Sequence, residues 1–245
     1  MSSIQVIDRC ASLLDAIGQY EDPVSLKILS ADSGLHPSTA YRILSALIEA
    51  GLVEKNGAGH YSLGNKLVRL AGKVRRGVDL REQALDIMEA LRDAIGETVN
   101  LTVREGDEVI YIERVTSNRM MRVEQIIGSR APLHVTAVGK LMLAELGDHF
   151  IRAYASRTGL KRYTPNTVTT EKDLLNTVHQ AQADGFAYDN EEAEEGVGCI
   201  GVLIYDDKRS VVAGLSISAP IERRKEEWVK LVKDAGKKLS ERLHM

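Results

Sequence analysis

The sequence has few cysteines and no long run of apolar residues. Cysteine occurs only twice in 245 residues, at Cys10 and Cys199, which excludes a disulfide scaffold and indicates a reducing compartment. No apolar stretch approaches the roughly 18 residues that would indicate a membrane span. The opening segment MSSIQVIDRC lacks the basic and apolar regions of a signal peptide. We therefore expect a cytoplasmic protein that has no membrane partner.

Metal-binding patterns are also missing. Six histidines are scattered along the chain without a His-x-x-x-His or Cys-x-x-Cys pair, so we expect neither a metal site nor a cofactor. There is no internal repeat or low-complexity segment. With 44% hydrophobic and 27% charged residues, the chain is typical of a globular protein. A change of pattern near residue 77 indicates one small and one medium domain.

Residues 25–63 predict two short helices joined by a tight turn and followed by a two-stranded wing. Gly34 and Pro37 suit the break between the helices, and Asn56-Gly57 is a strong hairpin signal between strands at 52–55 and 60–63. The second helix has an apolar face with helical spacing, formed by Ala40, Ile43, Leu44, Leu47 and Ile48. This order is that of a winged helix-turn-helix, which enters the DNA major groove.

The opposite face of the second helix and the wing carry side chains suited to reading DNA. A guanidinium can bond guanine O6 and N7 together, and hydroxyls can contact phosphates or base edges. The predicted DNA-binding residues are Ser38, Thr39, Tyr41, Arg42, Ser45, Lys55 and His60. Residues 1–77 contain nine basic and seven acidic residues. This small excess of positive charge has the sign expected for DNA binding. The alternative is a helical hairpin with a β-ribbon that contacts another protein.

Two amphipathic helices flank this unit. Residues 4–17 predict an opening helix with an apolar stripe at Ile4, Ile7, Ala11, Leu14 and Ile17. Residues 65–76 predict a second helix, either a solvated linker or a helix that pairs with a partner subunit near DNA phosphates. We expect a DNA-binding domain over 1–63, a linker helix over 64–77 and a second domain over 78–245.

The second domain is expected to be α+β. Its pattern predicts a helix ending at Gly96, strands at 98–104 and 109–115, a third strand at 120–125 and helices at 137–145 and 150–156. A capping box at Thr170 begins another helix, which Gly185 ends. A hairpin of strands at 199–205 and 211–218 and a closing helix from Trp228 to Leu243 follow. The order indicates helices packed on an antiparallel sheet.

The whole chain resembles the IclR-type bacterial transcriptional regulators. Four spaced segments carry the resemblance: STAYRIL at 38–44, PL and TAVGK at 132–140, DNEE to CI at 189–200, and AGLSIS at 213–218. The resemblance implies a winged helix-turn-helix followed by a GAF-like effector domain. It also implies a homodimer or a dimer of dimers that binds operator DNA and is controlled by a small metabolite.

The resemblance further implies an effector pocket on the sheet. Its lining would be Met120, Val123, Ala137, Val138, Asp189, Val197, Cys199, Ser216 and Ser218. Serine hydroxyls and helix-start N–H groups can hold a carboxylate, and Asp189 can accept from hydroxyls. Gly201 and Leu203 depart from the alanine and proline usual in the family, which indicates a reshaped pocket floor. The motifs look most like the branch that responds to sugar acids such as 2-keto-3-deoxygluconate, with an aromatic-acid regulator as the alternative.

Four rival interpretations are a dinucleotide site, a nucleophilic triad, a cation site and a purely structural second domain. Residues 196–201 satisfy G-x-G-x-x-G, but an acidic loop precedes them and a β-hairpin follows, so a dinucleotide site is not expected. Cys199 with His134 and Asp189 could form a nucleophilic triad, but a buried strand cysteine usually serves packing, and we do not expect an enzyme. The acidic run at 191–195 is expected to be a solvated loop or an intersubunit contact rather than a cation site. In the last alternative, the second domain is purely structural and binds no ligand.

Overall fold

The computed structural model describes residues 5–20, 22–71 and 80–243. The chain divides into two compact units, residues 1–76 and 77–245. The predicted domain limits around residues 64–77 stay predictions, because residues 72–79 lie outside the described part. None of the helices within the described ranges is long and apolar enough to cross a membrane.

The first unit is a winged helix-turn-helix. Its elements are α1 (Gln5–Gly18), α2 (Leu26–Asp32), α3 (Pro37–Glu49), β1 (Val53–Lys55), β2 (Tyr61–Leu63) and α4 (Asn65–Ala71). Strands β1 and β2 pair antiparallel, with Val53 opposite Leu63. The small core lies between α1, α2, α3 and the wing, around Leu13, Leu29, Leu44 and Tyr61. Burial of these side chains is the main stabilising term for so small a unit.

The predicted stripe of α1 is confirmed at Leu14 and Ile17, which pack in the core, and wrong at Ile7 and Ala11. The buried residues are Leu13, Ala16 and Ile17, whereas Ile7 is 61% exposed; Ile4 lies outside the described residues. Cys10, Leu13, Leu14 and Ile17 also follow the i, i+3, i+4, i+7 spacing, so the sequence pattern fitted two faces and packing against α3 selected one.

The second unit is a six-stranded antiparallel sheet with helices on both faces. Its elements are α5 (Leu80–Ile95), β3 (Thr98–Glu105), β4 (Glu108–Val115), β5 (Arg130–Pro132), α6 (Ala137–Thr158), α7 (Glu171–Asp184), β6 (Ala187–Asn190), β7 (Val197–Tyr205), β8 (Val211–Pro220) and α8 (Trp228–Leu243). The strand order is β5-β4-β3-β8-β7-β6. Helices α5 and α8 cover one face with an apolar core that contains Leu215 and Trp228, and α6 and α7 pack on the other face around Leu203. This architecture confirms the predicted α+β class.

Two strands differ from the prediction. Residues 120–125 do not form a strand; the third strand is β5, and β6 was not predicted. The edge of β4 is already occupied, because Arg130 and Ala131 pair with Ile110 and Val109 and the Tyr111 N–H donates to the Ser129 carbonyl. Residues 120–125 take part in none of the strand pairs of the described residues, so their strand-like alternation is a local pattern that pairing did not select.

Local signals fix the helix ends of this unit. The Thr170 hydroxyl accepts from the Asp173 N–H at 3.1 Å, and Gly185 ends α7 with a left-handed φ of 69°, as the capping box predicted. Helix α6 is interrupted at Gly147, where φ is 79°. That break accounts for the two separate helices predicted on either side of it.

Candidate functional site

The start of α3 is set by its cap. His36 is the N-cap residue, and its Nδ1 accepts from the Ser38 N–H at 3.4 Å and lies 2.8 Å from the Ser38 hydroxyl. Pro37 occupies the first turn, where its missing N–H costs nothing. Gly34 has a φ of 64°, which makes the sharp turn from α2 possible. These features place Ser38 and Thr39 at the N-terminal end of α3.

The residues predicted to bind DNA lie on the outer face of α3, to different degrees. Arg42 and Tyr41 are exposed, with Tyr41 at 50%, while Thr39 is half-buried. The Ser45 hydroxyl donates to the Tyr41 carbonyl at 2.9 Å, so its hydrogen is committed to the helix. Arg42, Tyr41 and Ser38 are therefore the side chains most available to a groove.

The wing extends this surface. The Lys55 Nζ lies 5.9 Å from the ring centroid of Tyr41 and 5.3 Å from that of Tyr61, within the range of a cation–π contact. The Asn56 Oδ1 accepts from the Ala58 and His60 N–H groups, both at 3.0 Å, and so rigidifies the wing tip. A cation on the wing is thus held beside the exposed face of α3.

A row of polar residues crosses the buried α6 side of the sheet in the second unit. Asp189 pairs with Cys199, Cys199 with Ser218, and Ser218 with Thr98, so these side chains share one face. Ser216 pairs with Asn100 in the adjacent row. We name Asp189, Cys199, Ser216, Ser218, Thr98 and Asn100 the polar face; all six are 9% exposed or less.

Hydrogen bonds converge on the Ser218 hydroxyl. The Asn100 Nδ2 donates to the Ser218 Oγ at 3.1 Å and the Gln125 Nε2 does so at 3.2 Å. The Cys199 Sγ lies 3.3 Å from the same oxygen. Gln125 comes from the loop after β4, so this loop is tied to the polar face through one hydroxyl.

Ionisation on the polar face is governed by burial. Loss of solvent raises the pKa of Asp189 to about 6, although the Glu192 N–H, which donates to its Oδ1 at 2.8 Å, opposes the shift. Burial also raises the pKa of the Cys199 thiol, and the nearby Asp189 adds to the effect. The pKa of Tyr111 is raised mainly by burial too, with Cys199 and Asp189 contributing. The polar face thus favours neutral groups.

The first turn of α6 lies directly on the sheet beside the polar face. A Cβ at Gly201 would come within 2.7 Å of the Val138 Cγ1 and 3.0 Å of the Val138 backbone nitrogen. A Cβ at Gly214 would come within 2.7 Å of Val138 as well. Gly201, which stands where the family usually has alanine, therefore allows the start of α6 to lie close to β7. The N–H groups of Ala137 and Val138 precede the first intrahelical bond.

A buried ion pair anchors the same helix turn to β6. The Lys140 Nζ donates to the Tyr188 carbonyl at 2.6 Å and to the Glu192 Oε1 at 2.5 Å. The Lys140 and Glu192 side chains are 1% and 7% exposed. Glu192 is thus committed to the fold, and Glu191 accepts from the Gly196 N–H at 2.8 Å. No group of at least three His, Cys, Asp or Glu side chains in the described ranges is placed to hold a metal ion.

The predicted lining residues are only partly brought together. Asp189, Cys199, Ser216 and Ser218 lie on the polar face, Ala137 and Val138 lie over Gly201, and Val197 precedes Cys199 on the same face of β7. Val123 is half-exposed on the loop after β4. Met120 is fully exposed, a position that gives it no support as a lining residue, because the loop turns its side chain to solvent.

Sequence reasoning missed Asn100, Arg114, Gln125 and Tyr111. Asn100 pairs with Arg114 on β4, and its position was detectable, because Thr98, Asn100 and Thr102 place polar residues at every second position of a predicted strand. All three are fully buried. Gln125 carried no such signal, since its contact depends on the path of a loop.

The nucleophilic triad is not formed. The His134 Nδ1 lies 2.7 Å from the Tyr154 Oη and its Nε2 lies 3.1 Å from the Lys161 carbonyl, so neither ring nitrogen is directed at Cys199. A thiol of raised pKa is also a poor nucleophile at neutral pH. The Gly-rich segment at 196–201 lies at the start of β7 rather than at the start of a helix, which agrees with the rejection of a dinucleotide site.

A winged helix-turn-helix followed by an α+β unit with a buried polar face defines a DNA-binding regulator with a ligand-binding module. Two family profiles match the chain: the IclR helix-turn-helix domain over residues 6–57 and the bacterial transcriptional regulator IclR C-terminal domain over residues 72–241. The chain belongs to the IclR family of transcriptional regulators. It is a regulator that binds operator DNA and a small-molecule effector, and not an enzyme.

Individual relatives of this chain are also transcriptional regulators of this kind. The HTH-type transcriptional regulator KdgR of Escherichia coli K12 is 33% identical, covering 97% of this chain and 92% of its own. The HTH-type transcriptional repressor AllR of the same strain is 31% identical, covering 96% of this chain and 89% of its own. Among solved structures, an IclR homologue from Microbacterium hydrocarbonoxydans complexed with 4-hydroxybenzoate has a TM-score of 0.86 at 25% identity, covering 97% of this chain and 98% of its own.

Proposed function

We propose that this regulator represses a catabolic operon and that a small organic acid, bound on the polar face, changes its affinity for operator DNA. The observation that carries the proposal is the row of buried polar side chains beside the start of α6. Burying a polar side chain costs free energy unless it is hydrogen-bonded, and such a row on an otherwise apolar sheet is typical of a ligand site. Repression follows the naming of the relative AllR as a repressor.

The chemistry of the site fits an acid. The N–H groups at the start of α6 favour an anion, and the Ser216 and Ser218 hydroxyls and Asp189 can bond to further oxygens. A sugar acid such as 2-keto-3-deoxygluconate is the proposed effector. An aromatic acid is the second candidate, because the structural relative from Microbacterium hydrocarbonoxydans binds 4-hydroxybenzoate.

We place DNA contacts at Arg42, Tyr41, Ser38 and Lys55 and expect the protein to act as a homodimer or a dimer of dimers. Exposed apolar side chains on α1 and α4 support self-association: Val6 60%, Ile7 61%, Val68 71% and Leu70 48%. A symmetric dimer would read two half-sites separated by about one helical turn of DNA, or a multiple of it.

A thermal-shift panel of hydroxy-, keto- and aromatic acids tests the effector proposal. A ligand that binds only the folded state raises stability by RT ln(1 + [L]/Kd), about 2.7 kcal/mol at 100 times Kd. Ser218→Ala should abolish the shift, and Cys199→Ser should retain most of it, because the sulfur only shapes the wall. A panel in which no acid raises the melting temperature of the wild type would count against the proposal.

A further inference from the structure

Three buried polar atoms on the polar face and on residues bonded or paired to it have no hydrogen-bond partner within the described part of the chain. They are the Asn100 Oδ1, the Gln125 Oε1 and the Arg114 Nε. Buried polar atoms in folded proteins are almost always paired, and each exception calls for an explanation. Asn100 is fully buried, and the Arg114 side chain is only 20% exposed.

The three atoms belong to one constellation. Asn100 pairs across the sheet with Arg114 on one side and with Ser216 on the other. The amide nitrogens of Asn100 and Gln125 both donate to the Ser218 hydroxyl, at 3.1 and 3.2 Å. Arg114 donates through its Nη1 to the Gln125 backbone carbonyl. The two unpaired amide oxygens therefore belong to side chains that share one hydroxyl, and Arg114 is linked to them through the Gln125 carbonyl and its pairing with Asn100.

The donor or acceptor character of each unpaired atom determines which hydrogen-bond partner it needs. Since both amide nitrogens are used on Ser218, the two amide oxygens can only accept, and their partners must be O–H or N–H donors. The Arg114 Nε can only donate, and its partner must be a carboxylate, carbonyl or hydroxyl oxygen. One ligand that supplies at least two hydroxyl donors and an anionic or carbonyl oxygen would satisfy all three.

We infer that Asn100 and Gln125 are specificity-determining residues that select a polyhydroxylated acid over an aromatic acid, and that Arg114 holds the acidic oxygen that both kinds of ligand carry. The inference rests on the proposed function, because it assigns selectivity to the same site. An aromatic acid with a single hydroxyl can pair with only one of the two amide oxygens and leaves the other buried and unpaired. Sites built to bond a ligand hydroxyl reject analogues that lack it for this reason.

Calorimetric titration of the full-length protein with 2-keto-3-deoxygluconate and with 4-hydroxybenzoate tests the inference. The wild type should bind the sugar acid at least 10-fold more tightly than the aromatic acid. Gln125→Met keeps the length of the side chain and removes both the acceptor Oε1 and the Nε2 that donates to Ser218. It should weaken sugar-acid binding about 10-fold while changing aromatic-acid binding less than about 3-fold. Arg114→Lys keeps the charge without the Nε and should weaken both acids.

Arg122→Met is the matched control. Both arginines form an ion pair with Glu124: the Arg122 Nε lies 3.0 Å from the Glu124 Oε2 and the Arg114 Nη2 lies 2.8 Å from the Glu124 Oε1. Arg122, however, carries none of the three unpaired atoms. Its replacement should therefore leave both affinities unchanged. Because Gln125 lies on a loop, Gln125→Met keeps the test valid even if Arg114→Lys fails to fold.

The outcomes separate the two proposals. A wild type that prefers 4-hydroxybenzoate, or a Gln125→Met variant with an unchanged affinity ratio, overturns the selectivity and leaves an acid-responsive regulator. A wild type that binds neither probe overturns the selectivity, and the thermal-shift panel then decides separately whether any other acid binds.

Discussion

Asp189→Asn should stabilise the protein at neutral pH while it weakens the response to the effector. Asp189 is 2% exposed, and burial raises its pKa from 3.8 to about 6. Its Oδ1 accepts from the Glu192 N–H at 2.8 Å, and an asparagine Oδ1 can accept the same bond. The substitution thus removes the cost of ionising a buried carboxyl and keeps its main contact.

The magnitude follows from the pKa. A shift of one pKa unit corresponds to about 1.4 kcal/mol, so the rise to about 6 gives an upper limit of roughly 3 kcal/mol above pH 6. Because the folded-state pKa is the higher one, the protonated carboxyl contributes stability fully below pH 4, and this contribution is lost as the pH rises through 6. Asp189→Asn should therefore gain about 1–3 kcal/mol at pH 8 and nearly nothing at pH 4.

Urea denaturation followed by tryptophan fluorescence is the appropriate assay. The only tryptophan of the chain is Trp228, which is buried in the core between the sheet and α8, so its emission reports the unit that contains Asp189. Asp107→Asn is the control of opposite sign: the Arg157 guanidinium lowers the pKa of Asp107, so this variant should lose stability at pH 8 and the loss should fade at low pH. An Asp189→Asn variant that is less stable at pH 8 than the wild type would refute the reasoning.

Three further substitutions have defined outcomes. Arg42→Ala should weaken specific operator binding by roughly 1–3 kcal/mol and leave non-specific binding in place; equal affinities in a titration at fixed salt would contradict this. Lys140→Met leaves the buried Glu192 carboxylate without its cation and should cost about 3–5 kcal/mol of the free energy of unfolding. The double variant Lys140→Met/Glu192→Leu should recover most of this loss; equal losses in the single and double variants would argue against a stabilising Lys140–Glu192 ion pair. Gly201→Ala places a Cβ 2.7 Å from Val138 and should lower the melting temperature through an overpacking cost of about 1–3 kcal/mol.

Most of the fold could be predicted from the sequence, because local signals and packing agree there. The period of 3.6 placed α3 correctly, with Ala40, Leu44 and Leu47 buried, and the capping and glycine signals placed the ends of α7. The errors arose where local pattern was ambiguous. Helix α1 offered two faces with helical spacing, and residues 120–125 alternate like a strand although β5 is the strand that pairs with β4.

The candidate site was harder to predict, since it is assembled by long-range pairing. Asp189, Cys199 and Ser218 could be named from the family resemblance, and the sheet register brings them into one row. Asn100 and Arg114 enter through pairing across β3 and β4, which depends on strand order. Gln125 lies on a loop, and a periodic sequence pattern does not predict the path of a loop.

Fluorescence anisotropy can measure whether a small acid bound on the polar face alters operator binding. Labelled DNA from upstream of the gene and its neighbours is titrated with the full-length protein, with and without 2-keto-3-deoxygluconate. We expect tight, sequence-specific binding that the acid weakens about 10-fold or more, and a Ser218→Ala variant that binds the DNA equally well but no longer responds. Sequence-specific binding that the whole acid panel leaves unchanged, or a Ser218→Ala variant with a full response, would contradict it.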